Sequence, residues 1–189
     1  MKLSVSYHFF LTGLCAALSV SGATNNEMNW AEAATVSASS QRSVYEKAKV
    51  NDSVVSDASR WLAAEGDSSP WIELSFPGPT TIGRIDVFSG WQDGSALADY
   101  QISLQVDGTW QSKPEWEILG NQETVKRIYL DETQVTGLRV ELLTASPGRI
   151  REIAVYDNQE AIGLPNALPD GTVADNPVAI VDYEQHQII

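Results

Sequence analysis

The sequence predicts an all-β fold, an antiparallel sandwich, on three observations: apolar residues recur with a period of two in several short runs, Gly, Pro, Asp and Ser punctuate those runs, and no helical period is sustained. Two sheets that each present one apolar face close on a single core, the arrangement that many short strands favour.

The chain opens with MKLSVSYHFFLTGLCAALSVSGA, in which Lys2 precedes an apolar run and Ser21-Gly22-Ala23 supplies small residues at a cleavage point. This is the layout of a secretory signal peptide, and the run of roughly 14 residues is shorter than the roughly 20 that a spanning helix needs. Residues 1–23 are therefore read as a cleaved signal and the chain as secreted, periplasmic or extracellular, with no membrane insertion after cleavage. Cys15, the single cysteine, leaves with that segment, and with it go disulfides, thiolate nucleophiles and cysteine-ligated zinc.

WIELSF (71–76) and RIDVF (84–88) read as well-buried strands. Tyr100, Ile102, Leu104 and Val106 alternate with Asp99, Gln101, Ser103 and Gln105, a half-buried strand that ends at the turn Asp107-Gly108. Leu138, Val140 and Leu142 repeat the pattern against Arg139 and Glu141. In PGRIREIAVYD (147–157), Ile153 and Val155 fall on one face and Glu152, Ala154 and Tyr156 on the other. The globular domain is thus placed at 24–157. Beyond it, residues 158–189 read as a linker-like tail with Pro165, Pro169 and Pro177, in which VAIVDY (178–183) is either one more strand of the main sheet or the lead into a further module.

The full chain carries 12 basic and 25 acidic residues, and loss of Lys2 with the signal leaves 11 − 25 = −14. Nucleic acid and anionic membranes are poor partners for such a surface, whereas neutral glycans, cationic partners and calcium are compatible with it. His8 lies in the signal and His186 near the end, so histidine triads and histidine zinc sites have no donors in the domain. Carboxylate catalysis is the remaining enzymatic route and would need a paired set such as Asp93 and Glu115, but the acids are scattered, and the domain is read as a non-enzyme.

Read in order, NWAEAATVSASSQ, KVNDSVVSDASRW, WIELSFPGPTTIGRIDVFSG, DYQISLQVDGTW, TGLRVELL and RIREIAVY resemble the coagulation factor V/VIII type C, or discoidin, family, which overlaps carbohydrate-binding module family 32. The resemblance covers Asn29 to Asp157. It implies a galactose-binding-like jelly-roll sandwich of about eight antiparallel strands, non-catalytic and stabilised by one structural calcium; the chain is expected to be a monomer. The partner it implies is a glycan or polysaccharide. A protein-adhesion or structural spacer role at a cell surface is the alternative.

The family's acidic residue on the last strand is a calcium ligand, and Glu152 occupies that place. Calcium takes six to eight oxygens from carboxylates and carbonyls of flexible loops, and 50–57 (VNDSVVSD) supplies two carboxylates, two hydroxyls, an amide and free carbonyls. Carried over residue by residue, Asp52 and Glu152 are side-chain ligands, Ser56 or Asp57 gives a further oxygen, and carbonyls near Val50 and Arg149 complete the shell. Ser53 departs from the glycine usual after the Asp. The competing reading is a solvated acidic turn with Glu152 paired to an arginine. Asn51-Asp52-Ser53 is also a glycosylation sequon, which a glycan would satisfy only by crowding the same loop.

Trp61, Trp71 and Trp110 read as packing residues. Trp91 sits in the polar loop SGWQDGSALAD, where it either stacks on a sugar ring or plugs its own loop, with Gln92 and Asp93 as planar hydrogen-bonding groups beside it. Related modules place further glycan contacts on the loop after the first strand, here SSQRSVYEK with Arg42 and Tyr45.

Overall fold

Runs whose apolar residues alternate become strands because only extended backbone brings every second side chain to a common core. The fold is that of a computed structural model, which describes residues 28–90, 96–144 and 148–157 and the strand segments Val181–Asp182 and Gln187–Ile188. In chain order the strands are β1 (Thr35–Ala38), β2 (Trp61–Leu62), β3 (Trp71–Phe88), β4 (Tyr100–Val106), β5 (Thr109–Gln111), β6 (Glu117–Ile118), β7 (Val125–Leu142), β8 (Arg149–Ile150), β9 (Glu152–Tyr156), β10 (Val181–Asp182) and β11 (Gln187–Ile188). Short 3-10 helices cover Trp30–Ala33, Lys47–Val50 and Pro114–Trp116.

The sandwich hangs on β3 and β7, each 18 residues long and paired antiparallel along their length. Their register breaks between Ser75 and Thr80, where Pro77-Gly78-Pro79 removes two ladder donors and lets the pair turn a corner. Before the corner, β3 also pairs with β1 and β7 with β4, to give the first layer, β1-β3-β7-β4-β5, with β6 on β4. After it, β3 pairs with β9 to give the second layer. Between the layers Ile72, Leu74, Leu138 and Ile102 meet Ile85, Val87, Ile153 and Val155, all fully buried.

β4 turns into β5 through Asp107 (φ 50) and Gly108 (φ 77), the two positive φ angles of a type I′ hairpin that the Asp-Gly pair announced. RIDVF is buried throughout, as its sequence indicated, but WIELSF alternates: Ile72, Leu74 and Phe76 point inward and Trp71, Glu73 and Ser75 outward. Of the tryptophans read as packing residues, Trp61 is fully buried, while Trp71 and Trp110 lie half-buried on the outer face of the first layer. Aromatic bulk is not burial; a flat sheet face carries an indole as readily as a core does. In β9 both faces are buried, Ile153 and Val155 in the main core and Ala154 and Tyr156 in a smaller cluster with Phe88.

The start and end of the sandwich are clasped together. Asn29 Oδ1 accepts from Ala31 N (3.1 Å) at the head of the first 3-10 helix and from Val155 N (2.9 Å) on β9. In the tail, β10 and β11 pair with each other in a two-stranded sheet separate from the sandwich. Residues 1–27 and 158–180 lie outside the described set.

The corner makes Leu74 a test of layer closure, since it is fully buried just before the register break. Leu74→Ala is expected to lower unfolding free energy by about 2–5 kcal/mol in urea denaturation. A loss below about 1 kcal/mol would mean that the two layers do not close at this point.

Candidate functional site

At one end of the sandwich three loops converge. The first is the turn Arg42-Ser43-Val44-Tyr45, closed by Tyr45 N to Arg42 O (3.1 Å) and seated on β2 by Arg42 N to Leu62 O (2.9 Å) and Leu62 N to Tyr45 O (3.3 Å). Val44 occupies the third position at φ 66, where glycine is favoured, and is 66% exposed. The turn is braced from the loop between β2 and β3, residues 64–69: Asp67 Oδ2 accepts from Ser39 Oγ (2.6 Å) and Ser40 Oγ (2.5 Å). Those hydroxyls hold the Asp67 carboxyl below its usual range.

The second loop, 51–60, is tied to the first by Arg60, whose guanidinium lies 4.3 Å from the centre of the Tyr45 ring. Arg60 Nη1 also pairs with Asp57 Oδ1 (2.7 Å), and Asp57 Oδ1 takes Arg151 Nη2 (2.9 Å) as well. Burial works against the Asp57 charge, but the hydrogen bond and charge of Arg60, joined by those of Arg151, hold it below the usual carboxylate range. The side chain of Arg151 is almost wholly buried, and burial pulls its guanidinium down to about 10 against the attraction of Asp57.

Arg151 reaches the third loop. Its Nη1 donates to Ser89 O (2.5 Å) and to Gly90 O. Gly90 is pressed against Thr124: its N–H and that of Ser89 donate to Thr124 O (3.3 and 2.9 Å), and a Cβ on Gly90 would stand 2.9 Å from Thr124 Cα. The predicted contacts Trp91, Gln92 and Asp93 lie outside the described residues; the two residues before them are anchored to Arg151. One chain of contacts, Tyr45, Arg60, Asp57, Arg151 and Ser89-Gly90, therefore links both loops that the sequence nominated. Neither Arg60 nor Arg151 is marked by the sequence pattern, although Arg151 stands directly before Glu152 in PGRIREIAVYD (147–157).

Glu152 opens β9 opposite Phe88, 2% exposed, and neither carboxylate oxygen has a hydrogen-bond partner among the described residues. Burial, and then the charge of Asp52, push its carboxyl up to about 9. The amides of Asp52 and Ser53 favour its charged form but fall outside hydrogen-bond geometry, which is why both oxygens stay orphaned. Among the described residues no arginine pairs with it, so the solvated-turn reading finds no partner there. Around it, Asp52 Oδ1 accepts from Val54 N (3.0 Å) and Oδ2 from Ser59 Oγ (2.5 Å), and Ser56 Oγ accepts from Ser59 N (2.9 Å). Ser53 sits at φ 60, the backbone that glycine would adopt freely, and its hydroxyl donates to Glu32 (2.5 Å). Val50 is buried at the end of its 3-10 helix, and Arg149 lies on β8 opposite Leu62.

This donor set fits a hard cation: an orphaned buried carboxylate, a second carboxylate beside it, and loop carbonyls at hand. Among the described residues no three His, Cys, Asp or Glu side chains gather at one point, so a cation here would lean on backbone carbonyls. Asp57 is taken up by two arginines, and the Asn51 amide by Ala31 O (2.7 Å) and Ala34 O (3.0 Å), which also leaves that sequon nitrogen occupied.

Residues 35–155 match the family model of the F5/8 type C domain. No curated protein is similar enough in sequence to match the chain. Solved structures share the fold: chitosan-binding module 1 of a chitosanase/glucanase from Paenibacillus sp. IK-5 (TM-score 0.58, 21% identity, 68% of this chain and 98% of that one), a fucose binding module from Streptococcus pneumoniae (0.61, 16%, 70% and 96%), and the family 32 module of C. perfringens NanJ in complex with galactose (0.59, 14%, 69% and 98%).

The raised carboxyl of Glu152 sets a pH dependence. The folded form holds its proton more tightly than the free side chain of 4.5, so the stabilisation is complete below that value and is lost as pH rises toward about 9. With a chelator present, the melting temperature of the protein should fall across that window relative to Glu152→Gln, which keeps a neutral group; parallel curves would show that Glu152 is not held protonated.

Proposed function

Since the chain belongs to the F5/8 type C domain family, we propose that its sandwich is a secreted, non-catalytic module that binds a glycan or polysaccharide at the converging loops. The observation that carries this reading is the Arg60-Asp57-Arg151 tie, which links the 42–45 turn and Ser89-Gly90 to one buried guanidinium. Loops held in place before binding spend less of the interaction energy on being ordered. Half-buried Arg42 brings guanidinium donors and half-buried Tyr45 an aromatic ring to this end of the sandwich, and Trp91 adds a second aromatic side chain in the sequence of the third loop. Similar folds that bind chitosan, fucose and galactose support a carbohydrate as the ligand class.

Calcium completes the reading. Asp52 and Glu152 would hold it with their side chains, Ser56 and the carbonyls near Val50 and Arg149 would add neutral oxygens, and Asp57 would stay with its arginines. The bound ion supplies positive charge that neutralises the buried Glu152 and fixes the 50–57 loop beside the ligand loops. The protein's part is to place the Glu152 carboxyl in a desolvated pocket beside Asp52, where it stays protonated until a cation displaces the proton.

Two measurements test these claims. On a glycan array in calcium, the protein should bind a defined sugar set, and binding should be lost in Trp91→Ala and in the double variant Arg42→Ala/Tyr45→Ala; a blank array from folded protein would transfer the reading to protein adhesion. Calcium at a hundredfold excess over Kd should add about 2.7 kcal/mol of stability. That gain should vanish in Glu152→Gln, and a melting temperature indifferent to calcium and chelator would remove the ion from the description.

A further inference from the structure

The outer face of the first layer, away from the converging loops, carries chemistry that the loop site does not use. Register places Trp71, Glu141, Gln101 and Glu117 in one row across β3, β7, β4 and β6. Glu73, Arg139 and Ser103 form the next row, and Ser75, Gly137, Gln105 and Trp110 the third. Arg139 sits between the two indoles, 5.0 Å from the centre of the Trp71 ring and 4.5 Å from that of Trp110, so the rings are no farther apart than those two distances together. Gly137 makes this possible, since a Cβ there would lie 3.1 Å from the Trp110 ring.

Arg139 is held from the side by Glu73 (2.8 Å) and Glu141 (3.7 Å), and Glu141 also accepts from Ser103 Oγ (3.3 Å). At the rim Lys113 pairs with Glu115 at 4.0 Å, and Glu117 is exposed. Four carboxylates thus face two cations on a chain whose net charge is −13. Two part-exposed indoles on a flat strand surface, with planar amide, carboxylate and guanidinium groups between them, are suited to sugar rings: apolar faces for the C–H side and fixed hydrogen-bonding groups for hydroxyls. The excess of carboxylates selects among sugars, repelling acidic ones and pairing with protonated amines.

We infer that this face is a second glycan-binding surface, and that its ligand is an extended glycan whose sugars carry free amino groups. The inference adds to the loop site and rests on the reading of the domain as a glycan binder. Trp71 and Trp110 stack on sugar rings, and Glu141 and Glu117 receive the amines.

Isothermal titration of the protein with glucosamine hexamer, its N-acetylated counterpart and cellohexaose tests it. Glucosamine hexamer should bind about tenfold or more tighter than the other two, the preference fading with added salt. Trp110→Ala should weaken binding, and because that variant also removes packing, Glu117→Gln/Glu141→Gln is the decisive one: its affinity for glucosamine hexamer should fall about fivefold or more with the melting temperature unchanged. Arg42→Ala/Tyr45→Ala should leave this binding intact. If the loop variant abolishes glucosamine hexamer binding while the carboxylate variant keeps it, the face proposal is overturned and the loop site stands. If the array is blank but glucosamine hexamer binds in the manner expected for the face, the loop site falls and the face stands. Failure of the wild-type protein to bind glucosamine hexamer overturns the face proposal outright.

Discussion

Everything in the sandwich depends on the long antiparallel pairing of β3 with β7 and on the corner that interrupts it. A single strand pair that continues around a bend contributes to both layers at once, so the layers cannot slide without breaking main-chain hydrogen bonds. Pro77 and Pro79 set the bend by withholding donors, and the strands on either side then recruit different neighbours, β1 and β4 before it, β9 after it. The ends of these strands fix where Trp71, Phe88 and Glu141 stand, and hence both the outer aromatic face and the loop end.

At the loop end two adjacent residues of opposite charge do separate work on the same loop. Arg151 grips Asp57 and the carbonyls of Ser89 and Gly90, while Glu152 presents an orphaned carboxylate toward Asp52. The first is a buried charge paired with a carboxylate and rigidifies; the second has no such partner among the described residues and is costly until something neutralises it. Loops 51–60 and 89–90 are therefore held by Arg151, while the desolvation cost sits on Glu152 beside it, where a cation or a proton can relieve it.

The strands were legible in the sequence where one face alternates cleanly, as in Tyr100 to Val106 and Leu138 to Leu142, because a period of two has a single structural meaning there. Trp71 shows the limit. The alternation of Ile72, Leu74 and Phe76 already put Trp71 on the opposite face, and only the expectation that a large aromatic belongs inside obscured it. The site was legible in part: Glu152 was marked by the family resemblance, but its orphaned state depends on what lies around it in space. The Asp57-Arg151 pair joins residues 94 apart in the chain, and loops carry no period from which such a contact could be read.

The clasp at Asn29 bears on how the module stands in tension. Its side chain bonds β9 and caps the first 3-10 helix, so the strand that leads out of the sandwich is pinned to the segment that leads in. A pull applied across the two ends of the described sandwich loads this clasp and the β3–β9 ladder first, ahead of the longer β3–β7 pair. The sandwich is therefore loaded where its two described ends meet rather than along its length.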